Sequence, residues 1–250
     1  MRNNFFSIKE SLFFRSRTEH LSYFIKGKKI KILDVGNLGD GEKNIDLEKI
    51  IEANGGEYFG LDINKNLAEK LGIKNQYIGD LHNLAGVVPD QMFDCIYAGE
   101  IIEHSWRPGE MILECARILK DGGFLIIDTP NVFSYINVFR VYFRKKDSMG
   151  DVPELTYNEA KDNFMALRNI EKKLYTQPQH KIFFSPAMLR QILSMHGFKI
   201  ENISYIGKPR NILDKLFMKI FPQSGQQIGV VAQKANLDDI FLKPSFGDND

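Results

Sequence analysis

Residues 31–41 read KILDVGNLGDG. A short apolar strand, ILDV, runs into a glycine-rich turn just after an aspartate. That is the arrangement which lets backbone approach a nucleotide-like ligand at the carboxyl end of a strand. Gly36, Gly39 and Gly41 permit conformations and close contacts that a Cβ would block. The turn decides the fold only in company, so the segments around it must supply the rest of a nucleotide-binding sheet.

They do so in order. Strand-like runs at Ile30–Val35, Tyr58–Leu61, Gln76–Ile78, Phe93–Ala98 and Phe124–Ile127 are separated by helical patterns at 44–54, 64–71 and 109–119. Strand alternating with helix implies right-handed crossovers and a largely parallel sheet. Runs such as ILDV and FLIID are apolar on both sides and suit burial on both faces. After Asn131 the alternation stops. Residues 132–180 are first aromatic and basic (VFSYINVFRVYFRKK) and then polar, which predicts a lid or substrate-recognition insertion. Order returns with a helix at 186–196, a strand at 199–206, a helix near 211–220 and a closing strand at 226–234. The expected organisation is an N-terminal helical segment (1–28), one α/β domain (29–234) and a tail (235–250).

The chain has 250 residues, 43% hydrophobic and 26% charged, enough for a sizeable core without disulfides. Cys95 and Cys115 lie in apolar patterns far from CxxC spacing and are expected to be buried, reduced thiols of a cytoplasmic protein. A standard secretion signal and a membrane-spanning run are both missing from the pattern. Net charge is +1, but residues 1–31 carry a surplus of +6 and the remainder −5. Helical spacing at Ile8, Leu12, Leu21, Phe24 and Ile25 predicts an amphipathic helix over 8–25 with a solvated basic face. No extended stripe of the kind that binds nucleic acid is present.

Four strand ends carry polar groups suited to a nucleoside. Asp34 and Gly36 end the first. Asp62 ends YFGLD, where a carboxylate can accept both hydrogen bonds of a ribose diol. Asp80 ends QYIGD, placed for an exocyclic amine of an adenine ring, and Glu100 follows FDCIYAG.

With these residues in view, the chain resembles a class I S-adenosylmethionine-dependent methyltransferase, in the branch of ubiquinone-biosynthesis-type and small-molecule or sugar O-methyltransferases. The most specific part is FDCIYAGEIIEHSWRPGEMILECARILKDGGFLIIDTPN, 93–131. HKIFFSPAMLRQILSMHGF, 180–198, is similar to the family's His…Phe-Ser/Thr-Pro…Gly-Phe segment. The resemblance implies a Rossmann-like, doubly wound, seven-stranded, mostly parallel sheet with an antiparallel last strand, and S-adenosyl-L-methionine as cofactor. It implies that Gly36 and its loop, with Asn37 and Gly39, line the methionine part, that Asp62 takes the ribose hydroxyls, and that Asp34 and Ile63 also bind the cofactor. Asp80 and Leu81 would lie at the adenine, and Ala98, Gly99 and Glu100 would face the methionine amino group. In the glycine turn Asn37-Leu38 stand where the family usually has glycine, and the helical pattern starts late, near 44–46. Asn tolerates a left-handed backbone, whereas Leu38 must point away from the cofactor.

Methyl transfer to a hydroxyl calls for a base, and histidine suits that task. His104, beside Glu103 at the fourth strand end, and His180, where the insertion rejoins the core, are the two candidates, with Glu103 as an orienting group. His20, His82 and His196 read as surface or helix-end residues. No His/Asp/Glu cluster has ligand spacing, so no metal is expected. The expected partner is a small-molecule acceptor, with peripheral membrane contact through 132–146 or the N-terminal segment as a further option. Two other readings stay open: a non-catalytic binding or scaffold protein, and a dehydrogenase using Tyr157-x-x-x-Lys161, a pair that chance supplies readily in a chain this long.

Overall fold

The computed structural model describes residues 12–39, 45–72, 75–135, 180–207 and 220–235. Among these, eight strands form one sheet: β1 (Phe13–Phe14), β2 (Lys31–Val35), β3 (Glu57–Asp62), β4 (Gln76–Ile78), β5 (Phe93–Gly99), β6 (Leu119–Pro130), β7 (Phe198–Ile206) and β8 (Gln227–Lys234). Their spatial order is β1-β7-β8-β6-β5-β2-β3-β4. The pairs β2–β3, β2–β5, β3–β4 and β5–β6 are parallel, and β8 runs antiparallel to both β6 and β7. The expected sheet is therefore present, with β1 as an added two-residue edge strand pairing parallel to β7.

Helices α1 (Arg17–Ile25), α2 (Ile45–Ala53), α3 (Lys65–Leu71), α4 (Pro108–Ile118) and α5 (Pro186–Met195) complete the described fold. Successive strand residues point to opposite faces, so Ile32 joins a core with Leu21, Ile25, Leu47 and Ile51, while Leu33 joins one with Met111, Ile112, Cys115, Leu189 and Leu193. Hence α1 and α2 cover one face, α4 and α5 the other. The fully buried stripe Met111, Ile112, Cys115, Ile118 seats α4, each large apolar side chain contributing about 1.5–3 kcal/mol by burial. Both cysteine thiols are free and buried, and desolvation pushes each up to about 12.

The expected helix over 8–25 is corrected at its start. Ser16 is extended and its hydroxyl accepts the Glu19 N–H at 3.1 Å, while the Glu19 carboxylate takes the Arg15 N–H at 2.7 Å. This cap fixes the first turn at Arg17 and leaves Phe13–Phe14 to pair as a strand. Most of the expected lid (132–180), including Phe139 and Phe143, lies outside the described residues, as do the helix near 211–220, Tyr157, Lys161 and nearly all of the tail. None of the described helices is long and apolar enough to cross a membrane.

Candidate active site

The order of connection reverses beside β2, since β3 and β4 lie to one side of it and β5 and β6 to the other. Ligands of open α/β sheets bind at such a switch point, outside the carboxyl ends of the strands. A cleft of about 1510 Å³ opens there. Its lining includes Asp34, Gly36, Asn37, Gly39, Asp62, Ile63, Asp80, Leu81, Gly99 and Glu100, together with His104 and His180. Ala98 is fully buried inside β5, and Glu103 lies behind the wall. A smaller cavity of about 800 Å³, lined by residues such as Tyr23, Phe24, Gly122 and Phe124, contains none of the sequence-predicted residues.

The glycine turn is built for close approach. Gly36 has φ +66°, and a Cβ there would meet Ile101 Cδ1 at 2.1 Å. Its N–H donates to the Leu61 carbonyl at 2.7 Å, tying the turn to β3. Leu38 is completely buried, so it does point away from the cleft. Asn37 turns its amide to Gln76 of β4, Nδ2 to Oε1 at 2.9 Å and Nε2 to Oδ1 at 3.0 Å. The course of residues 40–44 lies outside the described residues.

Asp62 accepts the Asn64 N–H at 2.8 Å on one oxygen and, more loosely, the Leu38 N–H at 3.4 Å on the other. It thus couples the turn to the start of α3. Asp34 accepts the Tyr58 hydroxyl at 2.8 Å, and burial together with that carboxylate pushes the phenol far up. Asp80 accepts the His82 N–H at 3.0 Å, which holds its carboxyl below the usual range. His82 bridges Asp80 and the buried Ser105, its two ring nitrogens at 2.6 and 2.7 Å, so it is no free surface residue. His196 does sit at a helix end, capping α5.

Glu100 has a left-handed backbone, φ +55°, rare for a non-glycine residue. Its N–H donates to the Asp128 carbonyl at 2.6 Å and its carboxylate meets Gln227 and, at 3.3 Å, Arg17 Nη1. Arg17, with Thr18 and Ser22 of α1, also lines the cleft. Sequence reading missed these three, because nothing local tells which way an N-terminal helix turns.

His104 and His180 are brought together by backbone. The Glu103 carbonyl accepts the N–H groups of Lys181 and Ile182 at 2.6 and 3.1 Å, and the two imidazole centroids stand 4.8 Å apart. Glu103 itself is buried. One carboxylate oxygen accepts the Thr129 hydroxyl at 2.9 Å and the other has no hydrogen-bond partner among the described residues. Burial raises its pKa to about 7. Glu103, His104 and His180 each place one potential ligand atom within 4.8 Å of the others. The expectation that no such cluster exists is therefore corrected: linear spacing hides it, since His180 arrives from far along the chain.

Residues 33–127 match the methyltransferase domain family. That stretch is a methyltransferase domain of the class I S-adenosylmethionine-dependent type. A probable S-adenosylmethionine-dependent methyltransferase of Mycolicibacterium smegmatis is 28% identical over 101 residues, 34% of this chain and 39% of that protein. The ubiquinone biosynthesis O-methyltransferase of Proteus mirabilis is 32% identical over 109 residues, 40% of this chain and 42% of that protein. The chain thus spans about two fifths of the length of these curated relatives. The crystal structure of a methyltransferase from Archaeoglobus fulgidus has the same fold, with a TM-score of 0.54 and 19% identity over 88% of this chain and 96% of that one.

Proposed function

We propose that this methyltransferase transfers a methyl group from S-adenosylmethionine to an oxygen of a small-molecule, sugar or lipid-linked acceptor. The observation that carries the reading is the single cleft in which ten of the sequence-predicted cofactor residues meet His104 and His180. The residues suit the cofactor: Gly39, with open space where a Cβ would stand, leaves room for it, Asp62 offers carboxylate oxygens to a ribose diol, and Asp80 and Leu81 bound the position of the adenine. The Arg17–Glu100 pair matches an amino-acid zwitterion, the guanidinium facing a carboxylate and the Glu100 carboxylate facing an ammonium group. When bound, the cofactor supplies an electrophilic methyl group on a sulfonium leaving group.

The protein's part is to hold the acceptor in line and to take its proton. His104 or His180 accepts the hydroxyl proton at an imidazole nitrogen. Glu103, behind them with a pKa near neutrality, sets the charge of their surroundings. We place residues 29–234 in one catalytic domain. Membrane contact, through 132–146 or the basic N-terminal segment, is a second-order proposal that fits a lipid-linked acceptor.

Calorimetric titration with S-adenosylmethionine and S-adenosylhomocysteine tests the reading. Binding of both, weakened at least about tenfold in Asp62→Ala, supports it. Binding of neither by the wild type favours a scaffold protein instead.

A further inference from the structure

We propose that His20 is a positioning residue, its contact with Asp128 holding α1 so that Arg17 faces Glu100 at the mouth of the cleft. The inference rests on reading that cleft as the cofactor site.

His20 is fully buried, against the expectation of a surface histidine. Its Nδ1 stands 2.8 Å from Asp128 Oδ1, and both side chains are wholly shielded from solvent. Phe14 and Phe24 pack edge-on against the imidazole with centroids 5.2 and 5.3 Å away. On the sheet side the ring fills a notch left by Gly229, where a Cβ would come within 2.6 Å of Cε1 and Nε2. The notch, the acid and the aromatic walls together enclose the imidazole.

Asp128 connects this seat to the cleft in two ways. Its side chain meets His20, one helical turn after Arg17, and takes the Tyr97 hydroxyl at 3.0 Å on its other oxygen. Its backbone carbonyl accepts the Glu100 N–H at 2.6 Å. One residue therefore fixes both members of the Arg17–Glu100 pair, the first through the helix and the second through the strand end. Nδ1 and Oδ1 stand close, yet neither imidazole nitrogen nor Asp128 Oδ1 makes a hydrogen bond among the described residues. Buried polar groups left in that condition are costly. Apolar packing of Leu21 and Ile25 already buries one side of α1, so the pair is not needed merely to cover the core. What it adds is a defined rotation and depth for the helix that carries Arg17.

The test combines cofactor titration with amide hydrogen exchange in the full chain. His20→Asn and Asp128→Asn should each weaken S-adenosylhomocysteine binding about tenfold, and the double variant should be no weaker than either single. His20→Asn added to Arg17→Ala should likewise cost little more than Arg17→Ala alone, because both remove the same contact. Amides of 17–25 should exchange about tenfold faster in each single variant while those of α4 stay unchanged. In the wild type, saturation with S-adenosylhomocysteine should slow exchange in 17–25 by linkage, which needs no variant to fold. Unaltered exchange in α1, or losses of affinity that add to those of Arg17→Ala, would overturn the proposal. A wild type that binds no cofactor would sink the methyltransferase reading instead, and the exchange rates of the variants would still decide whether His20 holds α1.

Discussion

The side-chain amides of Asn37, just after β2, and Gln76, the first residue of β4, face each other as a reciprocal pair over Gly60 of β3. Asn37 thus brings its own anchor to the turn. The turn is held by a side chain where it would otherwise depend on backbone alone. In Asn37→Ala the Gln76 amide loses both bonds to Asn37 and keeps only its Nε2–H to the Tyr77 carbonyl at 3.2 Å, and the variant should lose about 1–2 kcal/mol of stability in urea denaturation together with cofactor affinity. Asn37→Gly should restore part of the affinity and little of the stability.

Gly36 gives a sharper case. Alanine there must accept φ +66° and a Cβ pressed into Ile101. Gly36→Ala should lower the unfolding free energy by about 1–3 kcal/mol. Pairing it with Ile101→Ala should relieve the clash and leave the backbone strain. A thermal melt of both variants separates the two contributions.

Glu103 makes stability depend on pH in the direction opposite to an ordinary surface carboxylate. Its folded pKa is raised from 4.5 to about 7 by burial. Between those values the unfolded chain has lost the proton and the folded chain keeps it, so stability falls as pH rises through that window. Above pH 7 the full cost, on the order of 3 kcal/mol, is in force. Glu103→Gln keeps an acceptor for Thr129 and removes the ionisation. Its unfolding midpoint should match the wild type near pH 5 and exceed it at pH 8. Parallel pH profiles for the two proteins would contradict the assignment.

The two imidazoles should separate kinetically. Removing the one that takes the proton should cut kcat about 10²–10⁴-fold with cofactor affinity within a factor of two. Removing its neighbour should cost far less. His104→Gln and His180→Gln, assayed with the same acceptor, identify which is which. Equal turnover in both variants and the wild type would leave proximity as the whole of the protein's contribution.

The sheet was legible because its signals are local. KILDV, EYFGLD and FDCIYAG are apolar runs with an aspartate or glycine at or next to their last residue, and each forms the strand its pattern predicts, within a residue or two. The turn at 36–39 and the buried Leu38 followed from the same reasoning. What escaped depends on distant partners. His20 looks polar on an amphipathic helix until Asp128 and Gly229, more than a hundred residues away, close around it. His82 bridges Asp80 and Ser105, and His180 reaches His104 through the Glu103 carbonyl. The start of α1 was written locally, in Ser16-Arg-Thr-Glu19, but the apolar spacing from Ile8 onward ran straight through that cap.

The notch at Gly229 also bears on how the chain is made. The helix that fills it is the first one described, whereas the strand that shapes it is the last. At the usual pace of translation, roughly ten to forty seconds pass between the emergence of His20 and that of Gly229. During that interval α1 has no seat for its imidazole, and its apolar side must shelter elsewhere or stay exposed to chaperones. The first described helix is thus among the last to settle, and the cleft it borders can be completed only after synthesis has passed β8.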